Sequence, residues 1–372
     1  LALHGFNDYS NAFRIPARFW AERGIATYAF DQRGFGAAPH TGIWPGIEAM
    51  KSDLRAVAAA LRARFPDARI DWVVDERHRD LLELVRVVDR RIALRTRSAS
   101  LRRRVMELRR TLTRESYDIA IDVQGLLKSA VVARLSGARR VLGFTAPHLR
   151  ERAARVFYTE TCDPGDTAHV IEKNLTLAAS LGADVSRIQF PLTVPASAAL
   201  DALRHRHSAA GDTPFVVLNP GAAWPNKRWP PDRFGAVAEW LRRAHGLSSV
   251  VTWGPGDETT AAAVVDGSAG AAALAPQTSI ADLIAIVRGA ALMVSGDTGP
   301  VHLAAAVGTP VVGIYGPTDA ARNGPWSADD VTVSRFTACG CHHQRRCRVA
   351  RWCLEDISVD DVITAITRRI GT

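Results

Sequence analysis

Short runs of consecutive apolar residues recur along this chain, separated by stretches in which apolar positions return every third or fourth residue. In the first half the runs Ile70 to Val74, Val87 to Leu94, Tyr117 to Val123 and Arg140 to Phe144 read as strands. In the second half the pattern restarts with Phe215 to Leu218, Ser249 to Trp253, Leu292 to Val294 and Val311 to Tyr315. Runs that are apolar on both faces suit parallel strands covered by helices on either side. Met50, Leu54, Val57, Ala58 and Leu61 keep a helical period from about Ile47 to Arg64. Further helices are expected from about Ala99 to Arg114, from Thr167 to Leu181 and from Asp232 onward. Pro191 to Pro195 and Ser208 to Pro214 bracket another helix, read as linker in character. The predicted class is α/β, with two Rossmann-like halves around a cleft.

Two loops at carboxyl strand ends carry the chemistry. Ser295-Gly-Asp297-Thr298-Gly299-Pro-Val-His302 follows one apolar run and opens directly into a small-residue helix. A strand ending in a tight turn at a helix N-terminus offers free N–H groups and a positive dipole end to a phosphate. Glycines and a capping Asp or Thr also suit an ordinary strand-turn-helix joint, so the turn alone divides evenly between function and scaffold. His302, one helical turn beyond Asp297, tips the balance. The second loop, Asn219 to Trp229, follows the Phe215 strand, and its Lys227 and Arg228 are expected to put mobile positive charge at the same edge. A third turn, Trp253 to Glu258, ends another strand on that side.

Net charge is +9, which raises the question of an acidic partner. The excess is arginine, densest at Arg102, Arg103, Arg104, Arg109 and Arg110, and reads either as a solvated helix face or as attraction to an anionic surface. No apolar run reaches the length of a membrane span, and no secretory signal is visible, so a cytosolic protein or a fragment of one is expected. The chain contains no Gly-x-Gly-x-x-Gly, which argues against a dinucleotide dehydrogenase, and no Asp-x-Asp to hold a divalent metal under a sugar diphosphate. A transferase that works without metal, neutralising a leaving diphosphate with helix termini and basic side chains, fits better. No cofactor is expected. Cys339, Cys341, Cys347 and Cys353 crowd into one segment with His342 and His343, but without paired Cys-x-x-Cys knuckles. They are read as reduced thiols in a basic loop, with a metal site as the alternative.

From about Phe65 onward the chain resembles the glycosyltransferase family 9 heptosyltransferases. The matching pieces are Phe65-Pro-Asp-Ala with Ile70 to Val74, Tyr117-Asp118 with Ile121 to Ser129, Asn219-Pro-Gly to Lys227-Arg-Trp-Pro, Val294 to Gly299 with His302, and Tyr315 to Thr318. The resemblance implies a GT-B architecture and inverting transfer of heptose from ADP-heptose to the Kdo region of the lipopolysaccharide inner core. It implies that Asp297, Thr298, Gly299 and His302 meet the donor, with Lys227 offsetting charge on the departing ADP. Gln124, Lys128 and Arg150 would lie near a Kdo-lipid A acceptor. It implies peripheral contact with the anionic inner face of the cytoplasmic membrane of a Gram-negative bacterium, and no nucleic-acid partner.

Residues 1 to about 64 depart from that pattern, because the family's first strand, Ser-rich turn and proposed basic Asp have no match here. They resemble instead the middle of an α/β-hydrolase of the lysophospholipase kind, with Leu3-His4-Gly5-Phe6 as an oxyanion-hole turn and Tyr28 to Gly36 as the next strand and loop. No Gly-x-Ser-x-Gly elbow occurs anywhere in the chain, so a serine hydrolase is the weakest alternative. Asp31 is the acidic candidate for the missing base. The expected units are 1–64, hydrolase-like; 65–195, acceptor-side; and 213–372, donor-binding. A binding protein that no longer transfers is the second alternative.

Overall fold

A computed structural model describes residues 47–75, 79–94, 101–167, 169–207, 214–342, 344, 347 and 351–371. The oxyanion-like turn and Asp31 lie outside the described residues. Strands β1 (Asp71–Asp75) and β2 (Arg90–Leu94) form one parallel pair, and β3 (Ile119–Ile121), β4 (Arg140–Phe144) and β5 (Glu160–Cys162) a parallel triplet. Strands β6 (Phe215–Asn219), β7 (Ser248–Val251), β8 (Ala272–Leu274), β9 (Leu292–Gly296), β10 (Val311–Tyr315) and β11 (Val331–Ser334) form a six-stranded sheet. Its order is β11-β10-β9-β6-β7-β8, all parallel.

That order places a topological switch between β6 and β9, which pair with Leu218 opposite Val294 and Asn219 opposite Ser295. The chain moves outward through β7 and β8 on one side and through β10 and β11 on the other. The loops after β6 and β9 therefore part company and leave a crevice at their carboxyl ends, where open α/β sheets take ligands.

The strands are buried on both faces because their side chains alternate between two cores. Val216, Leu218, Val294 and Ile314 point to a layer containing Trp229, Phe234 and Leu241. Phe215, Val217, Met293 and Val311 point to the opposite layer, with Leu203, Ile286 and Val287. Each fully buried side chain of this size contributes roughly 1.5–3 kcal/mol, so both layers are needed to hold the crevice edge still.

The helix Ala198–His207 is not a linker. Leu203 enters the second core layer, and Ser197 donates to Asp282 at 2.7 Å, so this segment packs as part of the six-stranded unit. The second strand begins at Arg90 rather than Val87. Asp89 accepts from the Ile70 amide at 2.7 Å and from Arg62, which caps the chain before pairing starts, while Val85 and Val88 turn into a separate apolar cluster. The helix Ile47–Arg64 sets Ala56 and Val57 against Ile171, Leu175 and Ala178, and it also packs on the helix Gly299–Val307. No described helix is long and apolar enough to cross a membrane.

Candidate functional site

The crevice is built from the two loops that leave the switch point. After β9 the chain turns at Asp297, and Thr298 sits in extended geometry as the N-cap of Gly299–Val307, with Pro300 in the first turn. Proline suits that position because its missing N–H would be unpaired there anyway. After β6, a short 3-10 turn over Pro225–Lys227 drops the Lys227 side chain onto the Asp297 turn. Asn219, the last residue of β6, ties the loops together: its amide donates to Ser295 Oγ and Thr298 Oγ1, each at 3.1 Å, and to the Gly221 carbonyl at 3.3 Å.

Lys227 Nζ lies 2.5 Å from Asp297 Oδ2, and His302 Nε2 lies 3.7 Å from Asp297 Oδ1. All three are buried. Burial alone pushes the Asp297 carboxyl upward, but the Lys227 charge and hydrogen bond, with the His302 ring close by, outweigh it and hold the group below the usual carboxylate range. Asp297 is thus a fixed anion that positions two donors rather than a proton shuttle. The ammonium also stands 4.8 Å from the centre of the Trp224 ring. Such a cluster at a helix N-terminus is suited to receiving a second, mobile anion.

Neither basic residue of the loop is mobile. Arg228 donates from Nε to the Ala222 carbonyl at 2.8 Å and from Nη2 to Asp257 at 3.0 Å. The expectation of loose charge fails because the Trp253–Glu258 turn supplies a carboxylate that the sequence does not pair with Arg228. Asp257 also fills the space beside Gly221, where an added Cβ would fall 2.3 Å from its Oδ2. Trp253 is fixed by donating to the Ala275 carbonyl at 2.9 Å. Thr318, in the turn after β10, buries a hydroxyl that has no hydrogen-bond partner among the described residues. No periodicity would have singled it out.

On the side of the three-stranded sheet, Asp122 ties down the turn that carries Gln124 and opens into the helix that carries Lys128. This buried carboxylate accepts from Tyr158 Oη at 2.6 Å, Ser129 Oγ at 2.9 Å, and the amides of Gln124 and Gly125 at 2.9 and 3.3 Å. Desolvation raises its pKa despite these four bonds. Gly125 holds a φ of +64° against Leu149 and the Arg150 amide, a conformation that favours glycine. Glu151 donates its amide to the Gly125 carbonyl at 3.0 Å, and its carboxylate accepts from the Leu127 amide at 2.5 Å. The Gln124 turn, the exposed Lys128 and the half-buried Arg150 are thereby stapled into one edge. Burial, then the nearby Arg322 charge, lowers the Arg150 guanidinium to about 10. Arg322 follows β10, so the two edges face each other within electrostatic reach. They are joined where His169 donates from Nε2 to the Gly324 carbonyl at 3.2 Å and meets the Trp326 ring edge-on.

The profile of glycosyltransferase family 9 (heptosyltransferase) matches residues 105–353, and that of the serine aminopeptidases, S33, matches residues 1–73. Lipopolysaccharide heptosyltransferase 1 of Pseudomonas aeruginosa is 29% identical over 307 residues, spanning 79% of this chain and 82% of that protein. Lipopolysaccharide heptosyltransferase 1 of Escherichia coli K12 is 30% identical over 266 residues, 68% of this chain and 80% of its own length. The structure of E. coli heptosyltransferase WaaC with ADP superposes with a TM-score of 0.67 at 25% identity, covering 86% of this chain and 96% of that one.

Proposed function

The chain belongs to glycosyltransferase family 9, the heptosyltransferases, and we propose that it transfers heptose from ADP-heptose to the Kdo region of the lipopolysaccharide inner core, with inversion and without metal in the transfer step. The observation that carries this reading is the buried Lys227–Asp297–His302 cluster at the switch point. As the anomeric C–O bond breaks, negative charge gathers on the ADP diphosphate. Preorganised donors at that position are worth about 2.7–4 kcal/mol each in the transition state. Lys227 and His302 are such donors, with the Gly299 helix end beside them, and Thr298 and Gly299 line the turn. The Trp253–Asp257 turn would flank the nucleoside.

The acceptor hydroxyl attacks from the opposite edge, where Lys128, Arg150 and Gln124 would meet the Kdo carboxylate and lipid A phosphate. The exposed Arg109 and Arg110 suit peripheral contact with an anionic membrane surface of a Gram-negative cell. In this reading the acceptor-side unit runs from about 65 to 195 and is completed by the helix Ile47–Arg64. The donor unit begins with the helix Ala198–His207.

A second reading, a nucleotide-sugar binding protein without transfer, is favoured by the hydrolase-like match over residues 1–73, where the family's basic Asp would stand. Calorimetry with ADP followed by a heptose transfer assay separates the two. Binding with turnover supports transfer, and binding without turnover supports the second reading. No ADP affinity, unaltered by Lys227→Ala or His302→Ala, removes both. Asp31 is the proposed base, and an Asp31→Asn variant with an unchanged rate removes it. Reaction with a fluorophosphonate probe would instead point to a serine hydrolase.

A further inference from the structure

Among the described residues, Cys339, Cys341, Cys347 and Cys353 belong to no group of three or more His, Cys, Asp or Glu side chains placed to hold a metal ion. The polar group that the proposed transfer leaves unexplained is the buried carboxamide of Asn219, at the foot of the crevice.

Both polar atoms of this side chain are engaged. Nδ2 donates to Ser295 Oγ and Thr298 Oγ1, each at 3.1 Å, and to the Gly221 carbonyl at 3.3 Å, while Oδ1 accepts from Thr252 Oγ1 at 3.3 Å. The Gly221 carbonyl can only accept, which fixes the amide nitrogen on that side. These bonds offset the cost of burying a carboxamide at the end of a strand whose other residues include Val216, Val217 and Leu218.

The contact with Thr298 changes what the following helix offers. Thr298 is the N-cap of Gly299–Val307, and a threonine there ordinarily accepts from the amide of the second or third helical residue. Pro300 holds the second position and has no N–H, so the one amide left for the hydroxyl to cap is that of Val301. It does not cap it. Thr298 Oγ1 turns back instead to Asn219 Nδ2, with Ser295 Oγ at 3.2 Å and the Gly296 carbonyl at 3.4 Å. Among the described residues nothing accepts from the Gly299 or Val301 amide. The helix thus keeps its positive end uncapped at the turn where the diphosphate of the proposed donor arrives. A second unsatisfied group flanks this turn: Ile314 pairs opposite Gly296, so the loop after β10 leaves beside Asp297, and it carries the buried Thr318 hydroxyl.

We propose that Asn219 is a positioning residue for the donor, holding the Thr298 hydroxyl away from its own helix so that a diphosphate, rather than a side chain, caps Gly299–Val307. This role rests on the ADP-heptose reading of the crevice. Without the carboxamide, the hydroxyl is free to swing onto the Val301 amide, and ADP then has to displace a cap of ordinary strength, a loss of about fivefold in affinity.

Calorimetry with ADP on wild type, Asn219→Leu, Thr298→Val and the double variant forms a closed cycle. Asn219→Leu is expected to bind ADP about fivefold more weakly than wild type. Made in the Thr298→Val background, the same substitution is expected to change affinity by less than about twofold, because the competing hydroxyl is gone. Equal losses in both backgrounds, or no loss in the single variant, overturn the proposal, since Asn219 would then only tie the loops. Wild type that binds no ADP removes the donor reading and this role with it; wild type that binds, with an uncoupled cycle, removes this role alone. If Asn219→Leu fails to fold, a crystal structure of the wild-type chain with ADP decides. Thr298 Oγ1 is expected to stay on Asn219 Nδ2 while a phosphate oxygen accepts from the Gly299 amide, and a Thr298 hydroxyl found on the Val301 amide beside bound ADP overturns the proposal.

Discussion

Lys227→Ala separates the structural from the binding work of the crevice. The side chains of Lys227 and Asp297 are 7% and 2% exposed, so removing the ammonium strands a carboxylate with little water to screen it. Breaking a buried pair this way costs about 3–5 kcal/mol, and a fall of that size in unfolding free energy should appear in urea titrations. ADP binding should also weaken, because the diphosphate loses a charged donor worth about 1.5–3 kcal/mol, roughly a tenfold to hundredfold loss, and now faces a bare Asp297. The double variant Lys227→Ala with Asp297→Asn removes the stranded anion. It should recover most of the stability and none of the lysine's share of ADP affinity, as read by calorimetry. Two results would refute the reasoning. Wild-type stability in the single variant would mean that the pair is not holding the turn. Recovered ADP affinity in the double variant would mean that Lys227 only neutralises Asp297 and never reaches the diphosphate.

Three further outcomes follow from the geometry. Tyr158→Phe deletes the 2.6 Å bond to the buried Asp122 and should cost about 1–3 kcal/mol in urea unfolding, with ADP affinity unchanged because the contact lies on the other edge. Gly221→Ala puts a methyl group 2.3 Å from Asp257 Oδ2 and must displace it from Arg228, so ADP affinity should drop more than stability does; equal losses would count against a role for Asp257 beside the ligand. Burial depresses the His169 pKa, with the Gly324 carbonyl opposing it. Its contribution to stability is therefore present above about pH 6.5 and lost as pH falls below that value, so wild type should lose more stability than His169→Gln between pH 8 and pH 5.

Strands β4 and β10 were legible at both ends because their apolar runs are closed by turn residues, Pro310 before β10 and Gly316-Pro317 after it. The three-residue strands β5 and β8 were not, since so short a run carries no period. On the donor side, Asp297, Thr298, Gly299 and His302 could be placed from their spacing along one turn and its helix. The contact of Lys227 with Asp297 could only be guessed from both being at carboxyl strand ends. Asp122 and Asp257 stood inside the motifs that were read, but the pairs Asp122 with Tyr158 and Asp257 with Arg228 could not be, because the partners lie far apart in sequence and nothing local marks a residue that completes a distant pair. The helix Ala198–His207 read as a linker because prolines flank it, while Leu203 and Leu200, which anchor it in the core, looked unremarkable.

The helix Ile47–Arg64 lies inside the hydrolase-like match, residues 1–73, and ahead of the transferase match, which begins at residue 105. Its packing combines small and aliphatic groups such as Ala56, Val57 and Leu61 with the wholly buried Arg55 side chain. An exchange of the sequence ahead of Arg55 would leave that buried guanidinium and the contacts of Ala56 and Val57 with Ile171, Leu175 and Ala178 in place, whereas a crossover beyond it would have to supply both again.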